Sequence, residues 1–265
     1  MKIAKEKLRL NRVTLVAVTS VNIKETLKAM EYSMRGIEFE DAVFVSHERP
    51  QNLPNSIRFY KCDKITDINV FNHYMVFDLW KCINTEYIIL VHADGFVVNP
   101  ESWREEFLNY DYIGAPWPEP KDSESQRDKN GNICRVGNSV SLRSKLLLEL
   151  PSRMNFEWKA QDSSNKIYNE DSYICVYNKH LFEENGMKYA PVEVAKYFSH
   201  ETPLPETKGI KPFAFHKYAG HNFFYPDMGF IKLKIIKKVI NRVLNKETRV
   251  DTIRMLGEFF GMTKW

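Results

Sequence analysis

Apolar residues between positions 13 and 94 fall into blocks whose spacing alternates between strand and helix. Short β-branched runs that are almost wholly apolar are typical of strands covered on both faces. Apolar residues three or four positions apart predict helices. The pattern predicts strands at 13–21, 42–46, 57–60 and 87–91, and helices at 24–35 and 71–82. Such alternation predicts an α/β domain with a mostly parallel central sheet flanked by helices.

The regular alternation stops after residue 94. Residues 110–138 carry three prolines and a polar run, so they are predicted to form a long loop of the kind that often serves as a lid or binding element. Residues 136–143 are predicted to form a turn that enters a helix. Further helices are predicted at 142–150 and 171–181, with a strand within 188–197 and a strand-like run at 212–217.

The C-terminal part of the chain has a different character. Apolar residues recur there at helical spacing among lysines and arginines, as in Leu233, Ile236, Ile240, Lys237 and Lys238. We therefore predict an α/β domain at 1–225 and a basic amphipathic helical tail at 226–265. Such a helix can lie on an anionic membrane surface or pack on the domain with a solvated basic face, and the pattern favours neither.

Composition excludes several classes of protein. The four cysteines include no C-x-x-C pair, so no zinc or redox motif is indicated. The N-terminus lacks a continuous apolar segment, and no run reaches the roughly 18 apolar residues of a spanning helix. We therefore expect a cytoplasmic protein whose tail can bind the inner face of the cytoplasmic membrane. The net charge of +4 is modest and does not require a nucleic-acid partner.

Asp94 follows the apolar run Tyr-Ile-Ile-Leu-Val-His-Ala and precedes Gly95. Ligands of open α/β sheets bind outside the carboxyl ends of strands, so Asp94 lies where a ligand is expected. A carboxylate there can hold a divalent cation that bridges the diphosphate of a nucleotide sugar. Alternatively, Asp94 only caps a turn, which is a common role for an Asp-Gly pair.

Two later segments can supply partners for Asp94. Glu170 and Asp171 stand at a predicted helix start, where a carboxylate can cap the helix or act as a general base toward a hydroxyl. His216 and Lys217 end an aromatic run. His216 can be a hydrogen-bonded core residue, or it can complete a cation site while Lys217 offsets phosphate charge.

Small and aromatic residues between these segments suit a sugar. Asn138 and Ser139 lie in a predicted turn of small residues that lets a sugar or phosphate approach closely. Trp117 offers an indole face, which is a usual platform for a sugar ring or base, although core packing fits its residue type equally well. The segment lacks the Gly and Lys spacing of a Walker loop or a dinucleotide fingerprint.

Five segments occur in an order that resembles a family of glycosyltransferases first catalogued as a domain of unknown function, DUF5672. They are YIILVHADGFVV, FLNYDYIGAPWP, VGNSVSLRSKLLLEL, NEDSYIC and KPFAFHKY. The resemblance implies a single domain of the GT-A glycosyltransferase fold, with a nucleotide-sugar donor and a divalent cation, Mn or Mg. It extends from about residue 13 to about residue 218.

The resemblance also implies roles for particular residues. Asp94 matches the last carboxylate of an Asp-x-Asp motif, whose first position is taken by His92, and His216 matches the late histidine of the metal site. Asp171 matches the catalytic base, with Glu170 before it. In such folds the nucleoside is bound near the first strands, so we expect Thr19, Ser20 and Asp63 to contact it.

The sequence thus leads to one enzyme hypothesis and one alternative. The enzyme would move a sugar from a nucleotide sugar to a hydroxyl of a glycan or lipid-linked acceptor, in bacterial surface polysaccharide synthesis. The alternative is a non-catalytic nucleotide- or sugar-binding module on the same fold, which His92 favours because it replaces an acid. No motif supports a nucleic-acid partner.

Overall fold

A six-stranded sheet lies at the centre of the computed structural model, which describes residues 6–158, 169–216, 240–245 and 249. Its strands are β1 Leu8–Val18, β2 Ile37–Ser46, β3 Arg58–Lys61, β4 Tyr87–Leu90, β5 Tyr112–Pro116 and β6 Val136–Ser144, and a separate pair consists of β7 Ser199–His200 and β8 Ala214–Phe215. The strand order of the sheet is β3-β2-β1-β4-β6-β5. In this described sheet β6 runs opposite to the other five strands, which confirms the mostly parallel prediction.

Helices cover both faces of this sheet. The α-helices are α1 Ile23–Ser33, α2 Ile68–Phe77, α3 Lys145–Arg153, α4 Glu170–Ser172, α5 Lys179–Glu184 and α6 Val192–Phe198. A π-helical turn, Tyr173–Tyr177, continues α4, and short 3₁₀ helices occupy Leu79–Cys82, Pro100–Ser102, Glu105–Asn109 and Pro205–Thr207. Within the described ranges, none of the helices combines the length and the apolarity that a membrane span requires.

The central strands are fixed by core packing on both sides of the sheet. Successive side chains of a strand point to opposite faces, so neighbours in β1 enter different clusters. Leu15 lies in the cluster that contains Met30 of α1, whereas Val16 lies in the cluster that contains Met75 of α2. Full burial of each such side chain stabilises the fold by about 1.5–3 kcal/mol. The carboxyl end of β4, which pairs with β1, is therefore held in a rigid frame.

The prediction of a turn and helix at 136–150 was wrong in its first half. Residues Val136–Ser144 form β6, and the helix begins only at Lys145, capped by the Ser144 hydroxyl, which accepts the Leu147 N–H at 3.1 Å. The strand was missed because it buries polar residues. Ser141 and Arg143 are both 0% exposed, so the strand lacks the apolar alternation that identifies a sheet position.

Two other expectations also needed correction. The predicted loop at 110–138 contains the whole of β5, in which all five residues are buried. The prediction of a strand at 188–197 was wrong, since Tyr189 makes only an isolated bridge to Tyr112, beside the Ala190 N–H that donates to the Tyr112 carbonyl at 3.0 Å. Pro191 is then the N-cap of α6, which begins at Val192, and proline has no N–H to place in a sheet ladder. The β-branched residues at 192 and 194 are two positions apart, which is also the spacing along one face of a strand.

The predicted tail and the domain boundary at residue 225 lie largely outside the described residues. Of the range 226–265, the structure describes only 240–245 and 249. Association of the tail with a membrane therefore stays a prediction.

Candidate active site

Asp94 lies at the tip of a tight turn that follows β4. The turn is closed by two backbone hydrogen bonds, from the His92 N–H to the Gly95 carbonyl at 2.7 Å and from the Gly95 N–H to the His92 carbonyl at 3.2 Å. The Asp94 side chain is 51% exposed. From β1 the strand order runs to β2 and β3 on one side and continues with β4 on the other, so this turn lies where the strand order of the sheet reverses. Ligands of α/β proteins bind at such points.

His216 reaches Asp94 because the chain after the turn pairs with β8. Phe215 donates its N–H to the Phe96 carbonyl at 3.3 Å, and the His216 N–H donates to the His200 carbonyl at 2.9 Å. His216 Nε2 then lies 3.8 Å from Asp94 Oδ1, and its side chain is only 7% exposed. The structure therefore brings together two residues that are 122 positions apart, by the difference of their numbers.

Gly95 is required for this close approach. A Cβ atom at position 95 would lie 2.8 Å from His216 Cδ2, 2.6 Å from Val140 Cγ2 and 2.9 Å from the Phe215 carbonyl oxygen. The backbone of the turn thus packs directly on β8 and β6. A side chain here would push Asp94 and His216 apart.

Sequence reasoning missed Glu201, the residue on the other side of His216. Glu201 Oε1 lies 3.2 Å from His216 Nδ1. A carboxylate on one ring nitrogen of a histidine fixes the ring and its tautomer, which leaves the other nitrogen for a ligand. Glu201 follows the two-residue β7, so only the pairing of β7 with β8 reveals its position. Its place beside His200 in the sequence gave no such signal.

His92 is the third of the predicted metal ligands. Its ring centroid is 5.8 Å from that of His216. Burial, reinforced by the neighbouring His216, lowers the pKa of His92 to about 4, so its imidazole is neutral at physiological pH. Among the described residues, no three His, Cys, Asp or Glu side chains are placed to hold a metal ion. The predicted trio is therefore not a preassembled metal site.

The start of α4 lies near these residues, because Glu170 is close enough to His92, and Asp171 to Glu201, for their charges to interact. Glu170 is only 2% exposed, and its Oε1 accepts hydrogen bonds from Ser139 Oγ at 2.6 Å and from Arg143 Nη2 at 3.1 Å. Its N–H donates to Asn72 Oδ1 of α2 at 3.3 Å. Burial opposes ionisation of Glu170, but the Arg143 charge and the Ser139 hydrogen bond outweigh it and lower the pKa of the carboxyl. Glu170 is thus a buried, paired carboxylate, which suits it poorly to proton transfer.

Asp171, the next residue, has the opposite electrostatics. Burial and the adjacent negative charge of Glu170 raise its pKa from 3.8 to about 7, against the effect of a hydrogen bond that Oδ1 accepts from the Ser172 N–H at 2.7 Å. A carboxylate with a pKa near the working pH can both take and release a proton, which is the requirement for a general base. Of the two adjacent acids, the geometry favours Asp171 for that role.

The predicted nucleotide-binding residues lie at the same edge of the sheet as far as they are described. Thr19 directly follows β1, and its N–H donates to the Val45 carbonyl at 3.0 Å. Ser20 Oγ accepts the Ile65 N–H at 2.9 Å. Asp63 is exposed just after β3. Contact of these residues with a nucleotide stays a prediction, and Lys217 lies outside the described residues.

The predicted sugar-binding residues lie on or against β6. The Trp117 ring covers Gly137, where an added Cβ would lie 2.0 Å from Trp117 Cζ2, so the indole takes part in the core packing that the sequence allowed. Asn138 is 1% exposed, with a φ of 99°, and its Oδ1 accepts the Val140 N–H at 3.0 Å. Ser139 uses its hydroxyl to hold Glu170. Sugar binding by these residues stays a prediction.

The described site lies within a segment that matches a known family. The sequence profile of DUF5672, a protein family of unknown function, matches residues 55–216, which is more than half of the chain. The chain belongs to the DUF5672 family. The family predicted from the order of the motifs is thereby confirmed. No curated protein matches this DUF5672 chain.

Solved structures show which fold this DUF5672 member has. An active-site mutant of LgtC has a TM-score of 0.50 and 12% sequence identity, with 77% of this chain and 86% of that chain covered. A glycosyltransferase that takes part in glycosylation of the major capsid of PBCV-1 has a TM-score of 0.46 and 12% identity, covering 85% of this chain and 98% of the other. The likeness to LgtC shows the GT-A fold, as predicted.

Proposed function

We propose that this DUF5672 protein is a glycosyltransferase that moves a sugar from a nucleotide sugar to a hydroxyl of a glycan or lipid-linked acceptor. One observation carries the proposal. At the switch point of a GT-A sheet, Asp94 lies 3.8 Å from His216, and Glu201 on the other side of His216 is near enough to Asp171 to contribute to its raised pKa of about 7. The fold alone would not suffice, because one fold hosts many functions.

In this reaction the two carboxylates have separate tasks. Asp171 accepts the proton of the acceptor hydroxyl while that oxygen attacks the anomeric carbon of the donor. The bond from the anomeric carbon to the diphosphate oxygen breaks at the same time, and the nucleoside diphosphate leaves with the bonding electron pair. Asp94 and His216 act at the diphosphate end, and Thr19 and Asp63 bind the nucleoside.

Asp94 Oδ1 and His216 Nε2 are the two atoms that would hold a divalent cation. A carboxylate oxygen and a neutral imidazole are both good ligands for Mn²⁺, and carboxylate oxygen also suits Mg²⁺. When bound, such a cation neutralises charge that develops on the departing diphosphate. Lys217 follows His216 in sequence and can offset further phosphate charge.

The pathway that we propose is bacterial surface polysaccharide synthesis at the inner face of the cytoplasmic membrane. It is supported by the basic, amphipathic pattern of residues 226–265, which suits an anionic membrane surface. Removal of residues 226–265 should release the protein from anionic vesicles and leave donor hydrolysis largely intact. Loss of folding on truncation would instead mean that the tail packs on the domain.

The enzyme proposal is tested by incubating the purified chain with a panel of nucleotide sugars, with and without Mn²⁺, and measuring released nucleoside diphosphate. We expect release with at least one donor, and we expect Asp94→Asn and Asp171→Asn to abolish it while circular dichroism stays unchanged. Thermal stabilisation by a nucleotide sugar without any release would instead establish the binding module, which His92 favours because it stands where an acid is usual.

A further inference from the structure

Arg143 is a fully buried cation that sequence reasoning did not identify. It lies on β6 and is 0% exposed, and its Nη2 lies 3.1 Å from Glu170 Oε1. Arg143 Nε donates to Ser141 Oγ at 2.9 Å, and its guanidinium lies 5.4 Å from the centroid of the Tyr112 ring. Removing an ion pair of this kind from water carries a large desolvation cost, and a pair of apolar residues often gives equal stability. Stability alone is therefore a weak reason for its presence.

The position of the pair suggests another role. Glu170 is the first residue of α4, a helix of only three residues that passes directly into the π-helical turn. The Asn169 side chain does not cap it. The first turn is fixed instead by Arg143 and Ser139 from β6 and by Asn72 from α2. Asp171 is the next residue, so whatever fixes Glu170 also fixes the backbone that carries the Asp171 carboxylate.

We propose that Arg143 and Glu170 are positioning residues for Asp171. Their buried ion pair holds the start of α4 against β6 and keeps a negative charge beside the Asp171 carboxylate. Arg143 thereby allows Glu170 to remain ionised inside the protein. The negative charge of Glu170 in turn raises the proton affinity of Asp171. This proposal rests on the proposed function, in which Asp171 accepts a proton.

The other charges near Asp171 are consistent with this role. Glu170 and Glu201 raise its pKa, while Arg143 and the Ser172 N–H lower it, and burial adds the largest upward effect. Around Glu170 the titratable groups are Arg143 and His92, and Arg143 in turn faces Tyr112 and Cys175. Glu170 is the charged group with the largest effect on Asp171, so removing its charge should change the protonation of Asp171 most.

The test uses a double variant, Arg143→Met with Glu170→Gln, which leaves no unpaired buried charge and should fold. We expect kcat for the transfer to fall about 10- to 100-fold, as misplacement of a reacting group does, with little change in the KM for the donor. The acid limb of the pH–kcat profile should move to lower pH. A kcat within twofold of the native value and an unmoved limb would overturn the proposal.

A matched control removes an exposed ion pair. Arg12 and Glu86 form a two-pronged pair at the surface, through Nε at 2.8 Å and Nη2 at 2.6 Å. Arg12→Met with Glu86→Gln makes the same chemical change at the amino end of β4, and it should leave both kcat and the pH profile unchanged. Equal losses in the two double variants would show that the effect is not specific to Asp171.

A second variant separates the effect of position from the effect of charge. It also provides the test if the double variant does not fold. Ser141→Ala removes the partner of Arg143 Nε and keeps both charges. We expect a several-fold lower kcat with the acid limb in its native place. A native kcat in the folded variant would overturn the positioning role.

The last measurement does not depend on transferase activity. Carbon-detected NMR titration of the Asp171 carboxyl in the native chain and the double variant should show a lower titration midpoint in the variant. If the native chain releases no nucleoside diphosphate from any donor, the proposed function fails, and this titration alone decides the inference. Identical midpoints would overturn it.

Discussion

The carboxylates on the two sides of the site have opposite environments. On the β4 side, Asp94 extends from a turn, is 51% exposed and has His216 as its nearest partner. On the α4 side, Glu170 is buried and paired with Arg143, and Asp171 beside it is half-buried. An exposed carboxylate can replace its bound water by a cation, including one that is bound to phosphate, at little cost in free energy. A buried one next to another negative charge instead acquires a high proton affinity.

The comparison shows how one residue type can have two functions in the same site. Environments that push apart the proton affinities of neighbouring acids are how proteins assign acid–base roles. Here burial and Glu170 raise the pKa of Asp171 to about 7. The pair Glu170 and Asp171 shows the same division at closer range, because only Glu170 has an arginine to keep it ionised.

The largest effect is expected from Asp171→Asn. Loss of the base should lower kcat by about 10² to 10⁴. Stability should change in the opposite direction. The folded pKa of Asp171 is above its ordinary value of 3.8, so its ionisation destabilises the native state progressively between about pH 4 and pH 7. The variant should therefore unfold at a higher temperature than the native chain at pH 8.

The same comparison at pH 3 is the control, since Asp171 is then largely protonated in both folded and unfolded chains. The melting temperatures of variant and native chain should converge there. Scanning calorimetry at the two pH values checks this, and an equal difference at both would show that Asp171 is not a high-pKa group.

The pH dependence of the native enzyme should give the next largest effect. Because Asp171 must be deprotonated to act as base, kcat should rise roughly tenfold per pH unit up to about pH 7 and then level off. Initial rates at saturating donor and acceptor, measured between pH 5 and pH 9, would check this. A rate already constant from pH 5 upward would contradict the assignment.

Gly95→Ala tests the β4 side of the comparison. The new methyl group would meet His216, Val140 and the Phe215 carbonyl at under 3.0 Å, and such overpacking costs about 1–3 kcal/mol. We expect a lower melting temperature and weaker binding of a nucleotide sugar in the presence of Mn²⁺, measured by calorimetry.

Gly131→Ala is the matched control for that substitution. Gly131 has a φ of 82° but no atom within 4 Å of an added Cβ. It should lose a little stability through backbone strain and keep native donor affinity. If both variants bind the donor equally well, the close packing of Gly95 on His216 does not matter for the site.

The smallest effect is expected from Glu201→Gln. The amide keeps the size of the side chain but loses the charge that faces His216 Nδ1 at 3.2 Å. An ion contact of this kind contributes about 1 kcal/mol at most, so donor affinity should fall roughly fivefold. Unchanged affinity would show that the packing around His216 orients it without Glu201.

Sequence patterns predicted the first half of the fold and the identity of several candidate residues. The strands β1, β2 and β4 are readable because they place apolar side chains on both faces, and the end of β4 then gives the place of Asp94. The second half of the fold was predicted less accurately. β6 carries Ser141 and Arg143 into the interior, and their partners lie on other elements, so no local pattern can reveal that they are buried.

What the sequence by itself determined is therefore the set of apolar strands, the family, and which acids and histidines are available for chemistry. Only the tertiary structure decided which of these acids and histidines takes which role in the site. Burial and pairing set the proton affinity of a carboxylate, and both depend on residues far away in the chain. Arg143 keeps the buried Glu170 ionised, and the pairing of β7 with β8 places Glu201 beside His216, which in turn lies beside Asp94.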